Sequence, residues 1–181
     1  MTVNAIPSQP LLTFSQWRYL LLDNGLGAAF LNLGINAAIA WAVFKHVAVV
    51  PLWGAVGIAT DTIATSVILP VITCLVVTAL TRWHVRAGRL PPLGLGAQQN
   101  FFVRVLPPAV GRRAAVSALA SLVLLAPLTL AALSWMHIDQ LPFHDFIVFK
   151  AGFAIVNGAL VTPPLALVAL AGAPDKRKAA P

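Results

Sequence analysis

The sequence predicts an all-α integral membrane protein, a bundle of four transmembrane helices, and three observations support this class. Of the 181 residues, 59% are hydrophobic and 9% are charged, whereas an ordinary soluble domain is about 45–50% apolar and about 25% charged. The few charges leave long apolar intervals between them, and the basic residues collect in one connection. The single cysteine forms no internal disulfide, so a disulfide-rich secreted domain is excluded, as are a disordered chain and a soluble nucleic-acid binder.

Four intervals of 20 to 24 residues contain no Asp, Lys, Arg or His, and each is long enough for one span. A helix needs about 20 residues to cross a hydrocarbon core about 30 Å thick. Helix is the expected state, because the backbone groups of an isolated strand find no hydrogen-bond partners in lipid. We predict one membrane domain over residues 1–181, with spans at approximately 25–44, 61–81, 114–136 and 150–172.

Shorter segments precede and connect the spans. Residues 47–60 are uncharged, but prolines and glycines interrupt them, which favours a re-entrant or interfacial turn, or an extension of the second span, over a fifth span. Residues 11–22 and 98–106 mix apolar side chains with polar and aromatic ones. We predict that both segments are short interfacial helices.

The distribution of basic residues predicts the orientation. The connection between the second and third spans has six arginines and no acid, whereas the next connection has Asp139 and Asp145. Lys and Arg near span ends are retained on the cytoplasmic side, so the arginine-rich connection is expected inside. Four spans then place both termini in the cytoplasm, including a basic tail at 173–181. The expected location is the inner membrane of a bacterium.

The net charge of +7 is interpreted through this topology. The expected partner of the cations is the lipid bilayer, whose anionic headgroups on the cytoplasmic face attract each cation by about 1 kcal/mol. No nucleic-acid partner is expected, because the basic residues lack the interleaved aromatic side chains that stack on bases. Small residues along the spans predict close helix packing, in a homo-oligomer or against another membrane protein.

Polar side chains inside the spans mark the candidate site, because each is costly in lipid unless it has a partner. Asn32 and Asn36 are four residues apart, so they share one face of the first span. This face fits either helix packing through amide hydrogen bonds or a ligand or ion site. The other candidates inside the spans are Thr65, Ser66 and Asn157.

Asp61 begins the second span and allows two interpretations. A carboxylate there can cap the helix and interact favourably with the positive end of its dipole. It can also recruit a cation or take part in proton movement at the mouth of the span. Lys45 or His46 is close enough in sequence to pair with it across the short connection.

Three prolines fall near the middle of their spans. At about 1.5 Å per residue, Pro70, Pro127 and Pro163 lie roughly 13–18 Å from the outer ends, near the level of Asn36. Each proline releases the carbonyl four residues earlier, which predicts a kink. Kinked helices with free carbonyls beside an amide at the midplane are typical of transporter sites, although proline is also simply more frequent in membrane helices than in soluble ones.

Metal, cofactor and enzyme chemistry have little support in the sequence. A weak candidate metal site on the outer side consists of two histidines and two aspartates in one loop: His137, Asp139, His144 and Asp145. Their spacing matches no metal motif, and histidines at a headgroup interface are usually solvated. No span contains a histidine for haem, and no nucleophile or nucleotide motif is present. We expect neither a cofactor nor an enzymatic activity.

Two functions from different classes fit these features. The first is a small permease-like protein of the inner membrane with a polar site at the midplane, formed by one chain or by a homo-oligomer. The second is a non-catalytic structural or accessory subunit whose small-residue faces pack against another membrane protein. Metal binding on the outer side is a third hypothesis.

Overall fold

The computed structural model describes residues 16, 18, 19, 27–91, 93 and 100–172, and these are mostly helical. In chain order they form α1 (Gly27–Phe44), β1 (Val49–Pro51), α2 (Ile58–Arg86), α3 (Phe101–Val105), α4 (Val110–Ala120), α5 (Ala126–Trp135), β2 (Gln140–Pro142) and α6 (Phe143–Ala171). A π-helical segment, Ser121–Leu125, joins α4 to α5 into one rod. The short α3 lies in the second predicted interfacial segment. Most of 11–22 and the whole tail at 173–181 lie outside the described residues.

Three helices are long and apolar enough to cross a membrane. They are α2, the α4–α5 rod and α6, with 29, 26 and 29 residues. At about 1.5 Å per residue each is roughly 39–44 Å long, more than the hydrocarbon core of about 30 Å. The structure therefore confirms helices able to span a membrane where the sequence predicted the second, third and fourth spans. α1 has 18 residues, or about 27 Å at the same rise, and is the shortest of the four.

A two-stranded antiparallel ladder closes one end of the molecule. β1 pairs with β2, with Val50 opposite Leu141, and the Leu52 N–H donates to the Asp139 carbonyl at 2.7 Å. Residues 47–60 form β1, a turn and the first residues of α2, so only Ile58–Thr60 extend the second span, and a re-entrant or interfacial position of the turn stays a prediction. The ladder brings the starts of α2 and α6 to the same end, so these two helices run parallel.

The central helix is α6, because both α1 and α2 pack along it, and α4 packs against α2. α1 runs antiparallel to α6. The rings of Phe44 and Phe146 are 4.6 Å apart at one end, and twelve residues away on each helix Asn32 lies against Gly158. Equal intervals in opposite directions keep the two helices in contact over about 18 Å.

Buried apolar side chains form two clusters, one at each end of the bundle. The cluster beside the β ladder includes Phe44, Val50, Ile58, Leu133 and Phe146. The cluster at the other end includes Cys74, Val77, Ala114, Leu165 and Leu170. Along α2, the α4–α5 rod and α6, the residues between the clusters include the buried polar side chains Thr62, Ser66, Ser121, Asn157 and Thr162. We call these five side chains the polar middle layer, which lies between the two apolar clusters.

The three mid-span prolines differ in their surroundings. α2 continues through Pro70 and α6 through Pro163 without a break, and the kinks predicted there stay predictions. The π-helical segment ends just before Pro127, where the Ala126 N–H donates to the Ser121 carbonyl five residues earlier. A π turn widens the helix at the place where a proline ring crowds the preceding turn.

Gly57 precedes α2 and gives a test of this end of the fold. A Cβ at this position would lie 2.9 Å from the Pro51 carbonyl oxygen, in a strand that pairing with Gln140 holds in place. We expect Gly57→Ala to lower the free energy of unfolding by about 1–3 kcal/mol, the usual cost of overpacking. Thermal unfolding in detergent measures this.

Gly152→Ala is the matched control, because a Cβ there meets no atom within 4 Å. It lies inside α6, where alanine is favoured over glycine by up to about 1 kcal/mol. Equal melting temperatures for the Gly57 variant and the wild type would contradict the close approach of α2 to β1.

Candidate functional site

A buried ion pair joins α2 to α6. The Lys150 ammonium donates to the Asp61 carboxylate, and the two side chains are 3% and 13% exposed. Asp61 lies in the first turn of α2, and Lys150 lies seven residues after the start of α6. The two groups meet because both helices start from the β ladder and run parallel. The pair therefore connects two helices that can each span a membrane.

Asp61 does not cap α2, which corrects one of the two interpretations from the sequence. Gly57 occupies the N-cap position and offers no side-chain cap. Asp61 stays close enough to the helix start for a favourable dipole interaction of about 0.3–1 kcal/mol. The suggested partners in the preceding connection are also wrong, since Asp61 pairs with Lys150 and the Lys45 ammonium lies 5.0 Å from the centre of the Trp41 ring.

The pair lies closer to one end of the bundle than a site at the midplane would. If α6 is centred in a hydrocarbon core of about 30 Å, roughly 7 Å of the helix protrudes on each side. Lys150 lies about 10 Å along the axis from Phe143, so it lies just inside the apolar layer. Ionisable side chains at such depth are costly, and those that occur there face the bundle interior and pair. The ion pair is the arrangement that this rule predicts.

A cavity of about 230 Å³ opens beside the pair, between α1 and α2. Its polar lining is Asn32, Asn36, Asp61, Thr65 and Lys150. Its apolar lining includes four isoleucines that are each about half exposed on the bundle surface: Ile35, Ile39, Ile68 and Ile72. Along α2 the lining runs from Asp61 to Ile72, about 16 Å, from the edge of the apolar layer towards its middle. The cavity thus has a polar floor and an apolar rim.

The two asparagines of α1 have different roles in this cavity. Asn36 is buried, and its Nδ2 donates to the Asn32 backbone carbonyl at 2.9 Å, one turn earlier. The Asn32 Nδ2 is buried and has no acceptor among the described residues. It lies 2.7 Å from the position of a Cβ on residue 158, so the glycine there leaves room for the amide. Asn32 therefore lines the cavity while its unpaired amide donor is enclosed against Gly158 of α6.

The predicted site residues divide into two groups. Asn32, Asn36, Asp61 and Thr65 line one cavity, so the structure brings them together. Asn157 belongs to a different contact, because its Nδ2 donates to the Ser121 Oγ at 2.8 Å. Ser66 is fully buried, and its hydroxyl has no partner among the described residues. Asn157 and Ser66 contribute to the polar middle layer and do not line the cavity.

The weak metal candidates are not assembled into a site. In the part of the chain that the structure describes, no group of three or more His, Cys, Asp or Glu residues is placed to hold a metal ion. His137, Asp139, His144 and Asp145 are all within that part. Outer-side metal binding therefore gains no support from their geometry.

Lys150 is the site residue that sequence reasoning missed. Its charge ended an uncharged interval, so it was assigned to the boundary of the fourth span. The signal that could have found it is the apolar run Phe146–Phe149 just before it, which α6 includes. A span read from Phe143 places Lys150 inside the helix. Ser121, the partner of Asn157, is not among the predicted site residues either.

Comparison of the chain with protein-family models, with curated proteins and with solved structures found no match. The functional proposal is therefore based on the geometry and chemistry of α2 and α6, the two helices that meet at the ion pair.

The ion pair predicts a pattern in stability that only a pair produces. Asp61→Asn and Lys150→Met each leave one buried charge without its partner, and each is expected to lower the free energy of unfolding by about 3–5 kcal/mol. The double variant leaves no unpaired charge, so it is expected to be more stable than either single variant. Thermal unfolding of the four proteins in detergent measures this double-mutant cycle.

Asp145→Asn and Lys45→Met are matched controls that remove the same charges from exposed side chains. Both are expected to unfold near the wild-type temperature. Additive losses in the double variant would show that the two charges do not stabilise each other.

Proposed function

We propose that this protein is a small permease-like protein of the bacterial inner membrane, with four spans, both termini in the cytoplasm and its substrate site in the cavity between α1 and α2. The buried Asp61–Lys150 pair on the floor of that cavity is the observation that carries the proposal. Paired charges inside membrane helices are costly and are characteristic of ion pathways and proton relays. A purely structural bundle could use apolar residues at both positions at no loss of stability.

The charges at the two ends of the bundle support the proposed orientation. Asp139 and Asp145 lie at the β-ladder end, and the arginines that follow α2 and begin α4 lie at the other end. The arginine-rich end is then cytoplasmic. α1 runs antiparallel to α6 and stays in contact with it, which supports α1 as the first of the four proposed spans. Its 18 residues come close to the length of about 20 that a span needs.

The mechanism that we propose is an exchange of partners at Asp61. A cation or a proton that reaches the carboxylate competes with the Lys150 ammonium for it. Once Asp61 is neutralised, Lys150 lacks its partner and is held less favourably between the helices. The site then has two arrangements, and a ligand that favours one of them shifts the population towards it. Asn32 and Thr65 provide polar contacts further along the cavity.

Flux measurements on the reconstituted full chain test this proposal. The protein is placed in liposomes that contain a pH-sensitive dye, and proton, Na⁺ and K⁺ gradients are imposed in turn. We expect the wild-type protein to increase at least one flux over empty liposomes. Asp61→Asn and Asn36→Leu are expected to lower that flux about tenfold or more, because both change the cavity lining.

Asp145→Asn is the matched control, since it removes a carboxylate from the same end of the molecule but from an exposed side chain. It is expected to retain the wild-type flux. If the wild-type protein moves none of these ions, transport of them is refuted. If Asp61→Asn and Asn36→Leu transport as the wild type does, the site assignment is wrong.

A structural or accessory subunit is the second candidate, and the α4–α5 rod favours it. Within its most apolar stretch only 28% of the residues are buried, against 61% for α6. Most of this rod therefore faces lipid or another protein. Its exposed side chains include Leu119, Leu124 and Leu128, an apolar surface that another membrane helix can cover.

Extraction in a mild detergent followed by mass measurement distinguishes the two candidates. A permease is expected to be recovered as a single chain or a homo-oligomer. Recovery in a stable stoichiometric complex with a different membrane protein would favour the accessory subunit. The Asp61→Asn variant serves as an internal comparison, because the accessory role predicts that its complex persists when the cavity is altered.

A further inference from the structure

A second cavity, of about 240 Å³, lies at the end of the molecule opposite the β ladder. The last turns of α2 and α6 and the segment from α3 into α4 surround it. Two arginines line it, Arg82 on α2 and Arg113 on α4, and the remaining lining residues are apolar or glycine. The cavity is separate from the ion pair, which lies near the other end of α6.

Arg113 is nearly enclosed, with 1% of its surface exposed. Its guanidinium donates to the Thr78 Oγ1 at 2.6 Å, and its buried Nε has no partner among the described residues. An arginine side chain keeps its charge when buried, and a buried charge is costly unless a counter-charge or hydrogen bonds compensate it. The hydroxyl of Thr78 provides one acceptor and no negative charge.

Within the described ranges, the chain supplies no carboxylate at this end. The three described aspartates are Asp61 at the start of α2 and Asp139 and Asp145 on either side of β2, all at the β-ladder end. The half-buried Arg82 adds a second cation to the cavity. The two arginines therefore create a positive site in an apolar surrounding.

The start of α4 increases the positive potential at the same place. α4 follows Ala109, which caps none of its N–H groups through a side chain, and its first turn has no acid. The positive end of the helix dipole then lies beside Arg113, an unfavourable arrangement for a cation and a favourable one for an anion. A bound anion would compensate both the buried charge of Arg113 and the positive end of the α4 dipole.

We propose that this cavity binds a phosphate group between the guanidinium groups of Arg82 and Arg113. The planar fork of an arginine matches the oxygens of a phosphate. The volume of about 240 Å³ accommodates several water molecules, and therefore a tetrahedral phosphate. Lipid headgroups and free phosphate carry the same chemistry, and the experiment distinguishes these two sources.

The experiment uses the purified full chain and two probes. In the first arm, the protein is extracted from vesicles of phosphatidylcholine and phosphatidic acid, and native mass spectrometry counts the lipids that it retains. In the second arm, equilibrium dialysis measures binding of radiolabelled inorganic phosphate. We expect the wild-type protein to bind about one phosphate-bearing molecule per chain. We expect Arg113→Gln to bind it at least about tenfold more weakly.

Arg112→Gln is the matched control, because it removes the same charge from the neighbouring exposed side chain. It is expected to bind as the wild type does. Arg82→Gln, at a half-buried position, provides the second test if Arg113→Gln does not fold, and it is expected to weaken binding. An equal loss in the Arg112 variant and in the Arg113 or Arg82 variant would show only general surface attraction and would overturn the proposal, as would the absence of wild-type binding in both arms.

The two arms and two further variants separate the remaining outcomes. Retention of phosphatidic acid against excess inorganic phosphate identifies a lipid headgroup as the source, and binding in the dialysis arm identifies free phosphate. Asp23 and Asp175 lie outside the described residues and are the alternative counter-charges. If Asp23→Asn or Asp175→Asn binds phosphate and the wild type does not, an internal carboxylate occupies the site and the proposal fails. Equal binding by all three proteins supports it.

Discussion

The pairing of Lys150 with Asp61 is the interaction on which the arrangement of the helices depends. Either charge alone, buried between apolar helices, is destabilising by several kcal/mol. Together they hold the start of α2 beside the second turn of α6, where the two helices run in the same direction. Parallel helices need their connections to return to one end, and the β1–β2 ladder provides this end. α6 becomes central because α1 and α2 both pack against it.

The distribution of the other buried polar residues follows the same constraint, that a polar group inside the bundle is costly without a partner. An apolar cluster at each end of the bundle contains side chains of both α2 and α6: Ile58 and Phe146 beside the β ladder, and Val77 and Leu165 at the other end. In between, small hydroxyl and amide side chains allow helices to approach closely, as Asn157 and Ser121 do. Such contacts contribute only about 0.6 kcal/mol each in membrane proteins.

The two proposed sites lie towards opposite ends of α6 and have opposite electrostatic character. Near the β ladder, a carboxylate and an ammonium compensate each other. At the far end, Arg82 and Arg113 line a cavity without a described carboxylate. A ligand at the second site would hold the last turns of α2 and α6 next to the start of α4. Since α2 and α6 also carry the ion pair, phosphate binding at one end and partner exchange at the other involve the same two helices.

Local composition was sufficient to predict a mostly helical chain and the approximate positions of α2, α4–α5 and α6, the three helices able to cross a membrane, because a span requires only about 20 consecutive apolar residues. It also identified Asn32, Asn36, Asp61 and Thr65, since polar groups are exceptional inside a span. The partner of Asp61 could not be predicted in this way. Lys150 is 89 residues away in the chain, and its proximity follows from the β ladder and the parallel course of two helices. The burial of Arg113 was likewise decided by packing, because its sequence neighbours do not distinguish it from the exposed Arg112.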